Sequence, residues 1–443
     1  MDSAEREELV QRVVARSKAD ATEALLYEED FGLTRFTHGA IHQNVRLQNV
    51  TLRIRAIVDG RTGVAETNHL ADVGIDASLE RACEIARLAP PDPELPPLSS
   101  TQRTTSSDGA YVEATARASA EDRARVVGAI FDAGEAHGLW SAGYVTTSSG
   151  GITLANSSGT VQSHDGTDSG LNVKQNGPSS TGFAERYSND VRDIDGTRSG
   201  EIAARKALAS ADPITLEPGE YTVIMEPPAF GEIMGYIADH FSAQAYDEGS
   251  SFFSGRLGER FVGDNVTVFD DVAHPLNVGM PFDFEGVPTE RVRLFDRGTA
   301  SGLVTDSRWA AKLGRPNTGH ALPEPNSAGP QPRHLVVQPG TETHDELIAQ
   351  TERGLLVSRL WYVRTVDQRQ TIVTGMTRDG TFLIENGKLT KGVRNLRFNQ
   401  SITEALQRCT FSRELARTAS YSYAMVVPSV RFERFTFSSA TDF

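Results

Sequence analysis

Two long β-rich tracts in the first half of the chain most constrain its fold. The first, residues 23–68, contains EALLYEE, GLTRFTHGAIHQNVRL and VTLRIRAIVDGRTGVAET, which alternate polar and apolar residues and are rich in β-branched ones. Gly39 and the pair Asp59-Gly60 provide turn signals inside this tract. The second tract, residues 143–191, is dense in Gly, Ser, Thr and Asn. Each tract predicts an antiparallel meander.

Helical patterns flank both meanders. Leu9, Val10 and Val13 share one stripe of an amphipathic helix, and Ser119 with Asp122 forms a capping-box signature ahead of another. The predicted helices run from Glu5 to Ser17, from an N-cap at Asp76 to Leu88, from Ser119 to near Gly138, and from about Ser199 to Ser210. The order of helix and meander therefore occurs twice, although we find no repeat in the residues themselves.

The length of 443 residues predicts two or more domains, because a single hydrophobic core stops growing well below that size. Pro218-Gly219 marks the expected boundary. We predict an α+β fold with an N-terminal domain at 1–217, divided into subregions of about 1–100 and 101–217, and a C-terminal domain at 218–443. The Pro-dense segment from Ala89 to Ser100 is expected to be a linker or an ordered extended crossing.

The second domain is expected to be β-rich and barrel-like. Its strand-like segments are EYTVIMEP, VTVFDD, RVRLFDRG, TFLIENGKL and SVRFERFTFS. Helices are predicted from about Phe230 to Gln244, from Thr343 to Gly354 and from Ser401 to Arg408.

Charge and cysteine content exclude several classes of protein. A formal net charge of −15 opposes binding to a phosphate backbone, so no nucleic-acid partner is expected. Cys83 and Cys409 lie far apart and outside any CxxC pair, which indicates neither a disulfide framework nor a zinc ribbon. No apolar run of membrane-spanning length and no apolar leader segment occur, so we expect a cytoplasmic protein without a membrane partner.

The stretch PPAFGEIMGYIADHFSAQAYDEGSSFFSG, residues 227–255, resembles the surroundings of a zinc-protease helix. Such a helix needs two histidines whose imidazoles reach one ion, and this stretch has only His240. Glu232 and His240 are eight residues apart, roughly 12 Å along a helix, and Asp239 points about 100° away from His240. A metal site made of Glu232, Asp239 and His240 would need further ligands from elsewhere, so a solvated or capping role is favoured.

Other sequence patterns also favour structural roles. The HxxxH spacing of His38 and His42 lies in a β-rich stretch, where residues four apart are separated by about 13 Å. SHDGTD and VFDD lack the full pattern of a calcium loop. No GxSxG nucleophile elbow and no GxxxxGK[ST] phosphate loop occurs.

Several longer motifs resemble the TldD/PmbA (TldE) metalloprotease family. They occur in order along nearly the whole chain: TRFTHGAIHQN, LRIRAIVDGRTGVAET, LANSSG, GSSFFSGRLGERF, PFDFEGVPTERVRLFDRG, ERGLLVSRLW, GTFLIENGKL and VPSVRFERFTFSS. In that family, the TldD-type subunit carries an HExxxH zinc helix shortly before the segment that matches GSSFFSG, and a further ligand comes from a Gly-rich Cys segment.

The resemblance implies a TldE/PmbA-type subunit that is itself non-catalytic. The slots for the two histidines and the glutamate of HExxxH hold Met234, Asp239 and Gly235, and Cys409 in QRCTFS lacks the Gly-rich setting. A thioether, a glycine and one carboxylate are a poor zinc site. We therefore expect no catalytic residue and no cofactor in this chain.

The same resemblance implies a partner and a substrate. The partner would be a TldD-like catalytic subunit that carries the zinc, and the heterodimer would enclose a cavity in which unfolded or flexible peptides are cut. Close approach of an extended peptide suits a Gly- and Ser-rich segment. The candidates for that cavity are Gly249, Ser250, Ser251, Gly255 and Gly258.

Two alternatives remain open from the sequence. One is a self-associated hydrolase with a relocated metal site that includes Glu232, Asp239 and His240. The other is a peptide-binding regulatory protein without proteolytic activity. For the subunit that the resemblance implies, metallopeptidase activity is expected at the level of the complex, because this chain lacks the HExxxH zinc ligands.

Overall fold

The computed structural model describes residues 1–104, 109–419 and 424–441. The α-helices are α1 (Ser3–Arg16), α2 (Asp72–Leu88), α3 (Glu113–Ala116), α4 (Ala120–Glu135), α5 (Gly196–Ala209), α6 (Pro227–Ala238), α7 (Ala243–Asp247), α8 (Ser307–Leu313), α9 (His344–Ala349) and α10 (Ile402–Ala405). Short 3-10 helices span Val191–Asp193 and Asp239–Phe241. No helix within these ranges has both the length and the apolar character that crossing a membrane requires.

Strands form two separate sheets, which gives the predicted α+β class. The strands are β1 (Ala21–Thr37), β2 (Ala40–Val58), β3 (Arg61–Thr67), β4 (Trp140–Asn156), β5 (Val161–Asn176), β6 (Thr181–Ser188), β7 (Gly219–Met225), β8 (Val268–Asp270), β9 (Val292–Asp296), β10 (Thr299–Ala300), β11 (His334–Val337), β12 (Arg353–Asp367), β13 (Ile372–Glu385), β14 (Lys388–Gly392), β15 (Leu396–Ser401), β16 (Cys409–Ala419) and β17 (Ala424–Ala440).

The two predicted meanders join into one antiparallel sheet of order β3-β2-β1-β4-β5-β6. They meet where β1 pairs with β4. Asp59 and Gly60 have φ angles of 50° and 67°, so this pair forms a two-residue hairpin turn with both residues left-handed, as the sequence predicted. His38 and Gly39 form a second turn of this kind, with φ angles of 48° and 72°.

Capping residues set the starts of the flanking helices. Both α1 and α4 begin with a capping box, which confirms the prediction for Ser119 and Asp122. The predicted N-cap at Asp76 is wrong, because α2 already begins at Asp72. The carboxylate of Asp76 instead accepts a hydrogen bond of 2.8 Å from Nε of Arg16 on α1.

The first sheet is built from two similar units, α1-β1-β2-β3-α2 and α4-β4-β5-β6-α5. The capping box of α1 (Asp2 and Glu5) corresponds to that of α4 (Ser119 and Asp122), 117 positions later. Asp30 and Ser149, each the tenth residue of its strand, face each other in the register of β1 and β4. An approximate two-fold axis therefore passes between them and relates the two units in structure, which confirms that the order of helix and meander occurs twice.

Residues 89–100 cross from the first unit to loops of the second sheet without regular structure. Nη1 of Arg308 lies 3.3 Å from a carboxylate oxygen of Asp92, and the hydroxyl of Ser99 donates to the carbonyl of Glu285. The Pro-dense segment is thus an ordered extended crossing.

The second sheet has the order β10-β9-β8-β11-β17-β15-β13-β12-β7, with β14 on β13 and β16 on β17. β17 also pairs with β7, so β7, β12, β13, β15 and β17 form a closed circuit of pairings. The barrel-like shape stays a prediction. The largest apolar core of the described residues lies in this domain and includes the apolar side of α6.

The three helices predicted after residue 218 differ from their predicted bounds, and the one predicted from Ser401 to Arg408 spans only Ile402–Ala405. The helix predicted from Phe230 to Gln244 is divided into α6, a 3-10 turn and α7. The division occurs because Ser242 is extended and forms a parallel bridge with Val304. The helix predicted to end at Gly354 ends at Ala349, before β12 begins.

Candidate functional site

Helix α6 carries the positions at which the sequence analysis placed a degenerate metal site. Two prolines occupy its first turn, where the missing N–H groups cost no helical hydrogen bond. Its apolar face packs against β12, β16 and β17. A Cβ atom at Gly231 would lie 2.4 Å from Oγ1 of Thr418, so this glycine allows α6 to approach β16 closely. The helix is therefore held firmly between strands of the second sheet.

Met234 and Asp239 lie in opposite environments. Met234 is fully buried in the apolar core, whereas Asp239 is exposed in the 3-10 turn that follows α6. Residues five apart on a helix point about 140° away from each other. Gly235 between them is half-buried and has no side chain to act as a base.

These residues do not fit a zinc ion. A thioether inside an apolar core is a poor ligand for a hydrolytic metal, and one exposed carboxylate does not replace two imidazoles. Across residues 1–104, 109–419 and 424–441, no three His, Cys, Asp or Glu side chains are arranged to hold a metal ion.

His240 is occupied by its own surroundings. Its side chain is buried, and its Nδ1 accepts a hydrogen bond of 3.3 Å from the backbone N–H of Phe252. The ring also lies 5.0 Å from the ring of Phe252. Burial lowers the pKa of His240 to about 4, so the imidazole is neutral near pH 7. Glu232, Asp239 and His240 are thus not gathered into one cluster.

The segment 249–258 is fastened to the domain by its own contacts. The guanidinium of Arg369 donates two hydrogen bonds, of 3.0 and 2.6 Å, to the carbonyl of Gly249. The hydroxyl of Ser250 and the backbone N–H of Ser251 both donate to the carbonyl of Ala245. The next two residues, Phe252 and Phe253, pack against aromatic side chains of the core: Phe241, Tyr246, Phe261 and Phe295.

Gly255 and Gly258 form the open side of this segment. Their φ angles are 73° and 93°, a backbone region that favours glycine. A Cβ atom at either position would have no neighbour within 4 Å. Both glycines are therefore required by the turn, and both leave room beside the backbone.

The remaining sequence candidates have structural partners. The ring of His38 stacks on Trp140 at 3.9 Å in the β1–β2 turn, and His42 is exposed on β2. The acids of SHDGTD form ion pairs, Asp165 with Arg6 and Asp168 with Arg417. Burial raises the pKa of Cys409 to about 12, which keeps that thiol protonated.

The acids of VFDD are also occupied. Asp270 is fully buried and accepts hydrogen bonds from Nε2 of His320 (3.1 Å) and from the backbone N–H of His334 (2.8 Å). Asp271 forms an ion pair with Arg291.

A group of charged side chains between the two sheets was missed by the sequence analysis. We call it the interdomain cluster: Lys174 on β5, Glu185 on β6, Glu232 on α6, Arg359 on β12 and Asp379 on β13. Nη1 of Arg359 lies 3.3 Å from Asp379, and Nζ of Lys174 lies 3.3 Å from the other oxygen of that carboxylate. The cluster thus ties the first sheet to the second.

Glu185 is the member with the most perturbed titration. Burial raises its pKa to about 8, the nearby charge of Glu232 adds to the rise, and Arg359 opposes it. Its Oε1 is buried and has no hydrogen-bond partner among the described residues. Burial also raises the pKa of Glu232, against the effect of Arg359 and Arg364. The cluster can therefore bind or release a proton near neutral pH. No short motif marks its members, which are spread over 174–379.

Comparisons with known proteins agree with this fold. Residues 218–439 match the PmbA/TldA metallopeptidase C-terminal domain, and residues 23–87 match the PmbA/TldA metallopeptidase domain 1. The crystal structure of TldE from Thermococcus kodakarensis superposes with a TM-score of 0.86 at 21% identity, over 98% of this chain and 100% of that one. This likeness establishes the fold.

Two curated relatives are similar in sequence. Metalloprotease PmbA from Escherichia coli O157:H7 is 23% identical over 85% of this chain and 83% of its own length. A metalloprotease from Methanothermobacter thermautotrophicus is 26% identical over 51% of this chain, and the match spans 49% of that relative. With the domain match over 218–439, half of the residues, the chain belongs to the PmbA/TldD metallopeptidase family.

Proposed function

We propose that this chain is the non-catalytic, TldE-like subunit of a heterodimeric zinc metalloprotease that cuts unfolded or flexible peptides. The observation that carries the proposal is the burial of Met234. The position that would hold the first zinc ligand has become part of the apolar core. A side chain in that setting stabilises the fold and cannot bind an ion.

The zinc belongs to a TldD-like partner in this proposal. A catalytic zinc needs about three protein ligands and one open position. Among the described residues, no group of three His, Cys, Asp or Glu side chains could hold a metal ion, and the Nδ1 of His240 already accepts a hydrogen bond. The active centre is therefore supplied by the other subunit, and this chain shapes the space around it.

The substrate-facing part of this chain is the segment 249–258. Its carbonyl and serine contacts hold it in place, while the backbone at Gly255 and Gly258 has space on its outer side. An extended peptide that adds strand-type hydrogen bonds needs such a rigid and accessible backbone. Cys83 and Cys409 are free thiols, which supports a reducing, cytoplasmic location.

Co-expression with an HExxxH-bearing relative tests the pairing. The two chains are expected to elute together in size-exclusion chromatography, and the pair is expected to cleave a reduced, unfolded protein such as casein. Neither chain alone should do so at the same concentration.

A matched pair of variants tests the role of the segment. Gly258→Val in the accessible backbone is expected to slow cleavage by the pair, while Gly39→Val in the distant β1–β2 turn is not. Full peptidase activity of this chain alone would support the self-associated hydrolase instead. Peptide binding without any association would support a regulatory binding protein.

A further inference from the structure

Two buried arginines occupy equivalent places in the two halves of the first sheet. Arg6 and Arg123 are the fourth residues of α1 and α4, and their exposed fractions are 3% and 4%. Each guanidinium lies over a glycine of the other half. A Cβ atom at Gly151 would lie 2.5 Å from Cζ of Arg6, and one at Gly32 would lie 2.3 Å from Nη1 of Arg123. The two glycines, both twelfth in their strands, leave room for these guanidinium groups.

Arg6 has two carboxylate partners. Its Nε donates to Oγ1 of Thr153 at 3.1 Å. Its Nη1 donates to Glu28 at 3.2 Å, and its Nη2 donates to Asp165 at 2.5 Å. The buried positive charge is therefore compensated.

Arg123 makes the same hydrogen bonds to neutral groups. Its Nε donates to Oγ1 of Thr34 (3.1 Å), its Nη1 to Oγ1 of Thr147 (2.9 Å) and its Nη2 to Oδ1 of Asn44 (3.3 Å). Thr34 is the counterpart of Thr153, Thr147 the counterpart of Glu28, and Asn44 the counterpart of Asp165. No carboxylate in the described parts of the chain forms an ion pair with Arg123, although an unpaired buried charge is costly.

A cavity of about 610 Å³ opens beside Arg123. Its lining includes the cations Arg46 and Arg117 and the first turn of α4, whose helix dipole favours a negative charge. Asp30 and Glu121 are the acids in the lining. The carboxylate of Asp30 is already bound by Nε of Arg46 and by the amide of Gln48, each at 2.9 Å.

The equivalent cavity beside Arg6 has the opposite character. Its volume is about 660 Å³, and its lining includes the acids Asp2, Glu28, Glu29, Asp30 and Asp165. The difference between the cavities follows from the replacement of two acids, at the positions of Glu28 and Asp165, by Thr147 and Asn44. Both arginines therefore border cavities of similar volume, and among the described residues only the cavity beside Arg6 contains carboxylates that pair with its arginine.

We propose that the cavity beside Arg123 binds a carboxylate group of a ligand, which takes the place that Glu28 and Asp165 hold beside Arg6. The guanidinium has five N–H groups, three of which are used by Thr34, Thr147 and Asn44. One N–H on each terminal nitrogen is left for the ligand. The source of the carboxylate is either a small free acid or an acidic side chain of a peptide. This inference does not depend on the proposed protease role.

Thermal unfolding of the full chain with sodium succinate tests the site. The Tm of the natural chain is expected to rise saturably with succinate, relative to sodium chloride at the same ionic strength. Asn44→Asp supplies the carboxylate that Asp165 supplies in the other half. This variant is expected to have a higher Tm without succinate and at least about tenfold weaker succinate binding, because like charges then meet.

Asp165→Asn is the matched control. It removes a carboxylate from Arg6, so the Tm should fall, while the succinate response through Arg123 persists. Thr147→Glu, the counterpart of Glu28, repeats the test if Asn44→Asp does not fold. Equal succinate responses of the natural chain and Asn44→Asp would overturn the proposal, and so would the absence of binding by both succinate and a glutamate-containing peptide.

A second series distinguishes the source of the carboxylate and its chemistry. An acetylated hexapeptide with a single Glu is compared with its Gln version and with succinate by isothermal titration calorimetry. Binding of the Glu peptide but not of succinate identifies an acidic side chain as the ligand, and the reverse identifies a free acid. Binding of inorganic phosphate without binding of either carboxylate would contradict the assignment.

Discussion

The two sides of helix α6 have different surroundings, although both lie near the positions that the family resemblance relates to a zinc site. On one side, Met234 is fully buried among apolar side chains of the second sheet. On the other side, Glu232 belongs to the interdomain cluster, where burial raises its pKa and that of Glu185. The first side contributes apolar packing, and the second side belongs to a group of charged contacts between the two sheets. The comparison teaches that α6 is packed as a structural element although its surroundings are not uniformly apolar.

Met234→His is expected to give the largest effect on this comparison. An imidazole in this apolar core has no polar partner at hand, and we expect a loss of roughly 3 kcal/mol in the free energy of unfolding. Zinc should not restore this stability, because the described residues hold no group of three His, Cys, Asp or Glu side chains that could bind a metal ion. Met234→Leu, which keeps the volume, should cost less than about 1.5 kcal/mol. Urea denaturation with and without zinc measures both, and a zinc-stabilised Met234→His chain would show that the site is only one substitution from function.

Arg359→Met tests the polar side. The change leaves Asp379 and Glu232 without this cation. We expect a loss of roughly 2 to 3 kcal/mol in the free energy of unfolding, because a buried charge that loses one of its partners destabilises the folded state. Arg364→Met is the control, because the Nη1 of Arg364 donates to the carbonyl of Val363 rather than to a carboxylate. Its cost in the same denaturation experiment should be below about 1 kcal/mol. Equal costs would show that the cluster is not what joins the domains.

Glu185→Gln should change how stability depends on pH. The folded-state pKa of Glu185 is raised to about 8, mainly by burial, so the native state holds this proton more tightly than the unfolded state does. The stability that this proton contributes is fully present below the pKa of Glu185 in the unfolded chain, and it is lost as pH rises through 8. The variant cannot titrate, so its stability relative to the natural chain should increase between pH 5 and 8, by roughly 3 kcal/mol, since each unit of pKa difference corresponds to about 1.4 kcal/mol. A constant difference over this range would place the pKa of Glu185 near its ordinary value.

The smallest expected effect concerns the segment 249–258 that follows α6. Gly255→Ala places a Cβ at a φ of 73° with no neighbour within 4 Å, so only backbone strain of about 1 kcal/mol opposes it. Gly128→Ala within α4 is a control that should increase the free energy of unfolding. A Cβ there also has no neighbour within 4 Å, and alanine stabilises a helix relative to glycine by up to about 1 kcal/mol. If Gly255→Ala left the free energy of unfolding unchanged, the turn would not need a glycine at this position. The accessible backbone at residue 255 would then be better explained by a functional role.

Local signals in the sequence predicted local structure well. The Asp59-Gly60 turn and the capping box of Ser119 are each decided by neighbouring residues, and each is present. The N-cap at Asp76 was wrong because Arg16, sixty positions away, binds that carboxylate. The break in the helix after Ala238 likewise depends on Val304, which bridges to Ser242. Contacts distant in the chain override local preference in both cases.

The candidate site was predictable only in part. The family resemblance indicated Met234, Gly235 and Asp239, but the opposite exposure of Met234 and Asp239 depends on the core around α6. The relation between Arg6 and Arg123 was missed because few residues correspond and the offset changes, from 117 positions for these arginines to 119 for Gly32 and Gly151. The interdomain cluster combines residues from both sheets, which no local pattern can bring together.

The zinc content of this chain, purified without an affinity tag and measured by inductively coupled plasma mass spectrometry, tests the central claim most directly. We predict well below one zinc per chain when it is isolated, and about one zinc per pair when it is purified with an HExxxH-bearing partner. Near-stoichiometric zinc in the isolated chain, lost on Asp239→Asn or His240→Gln, would contradict the claim that α6 has become a structural helix.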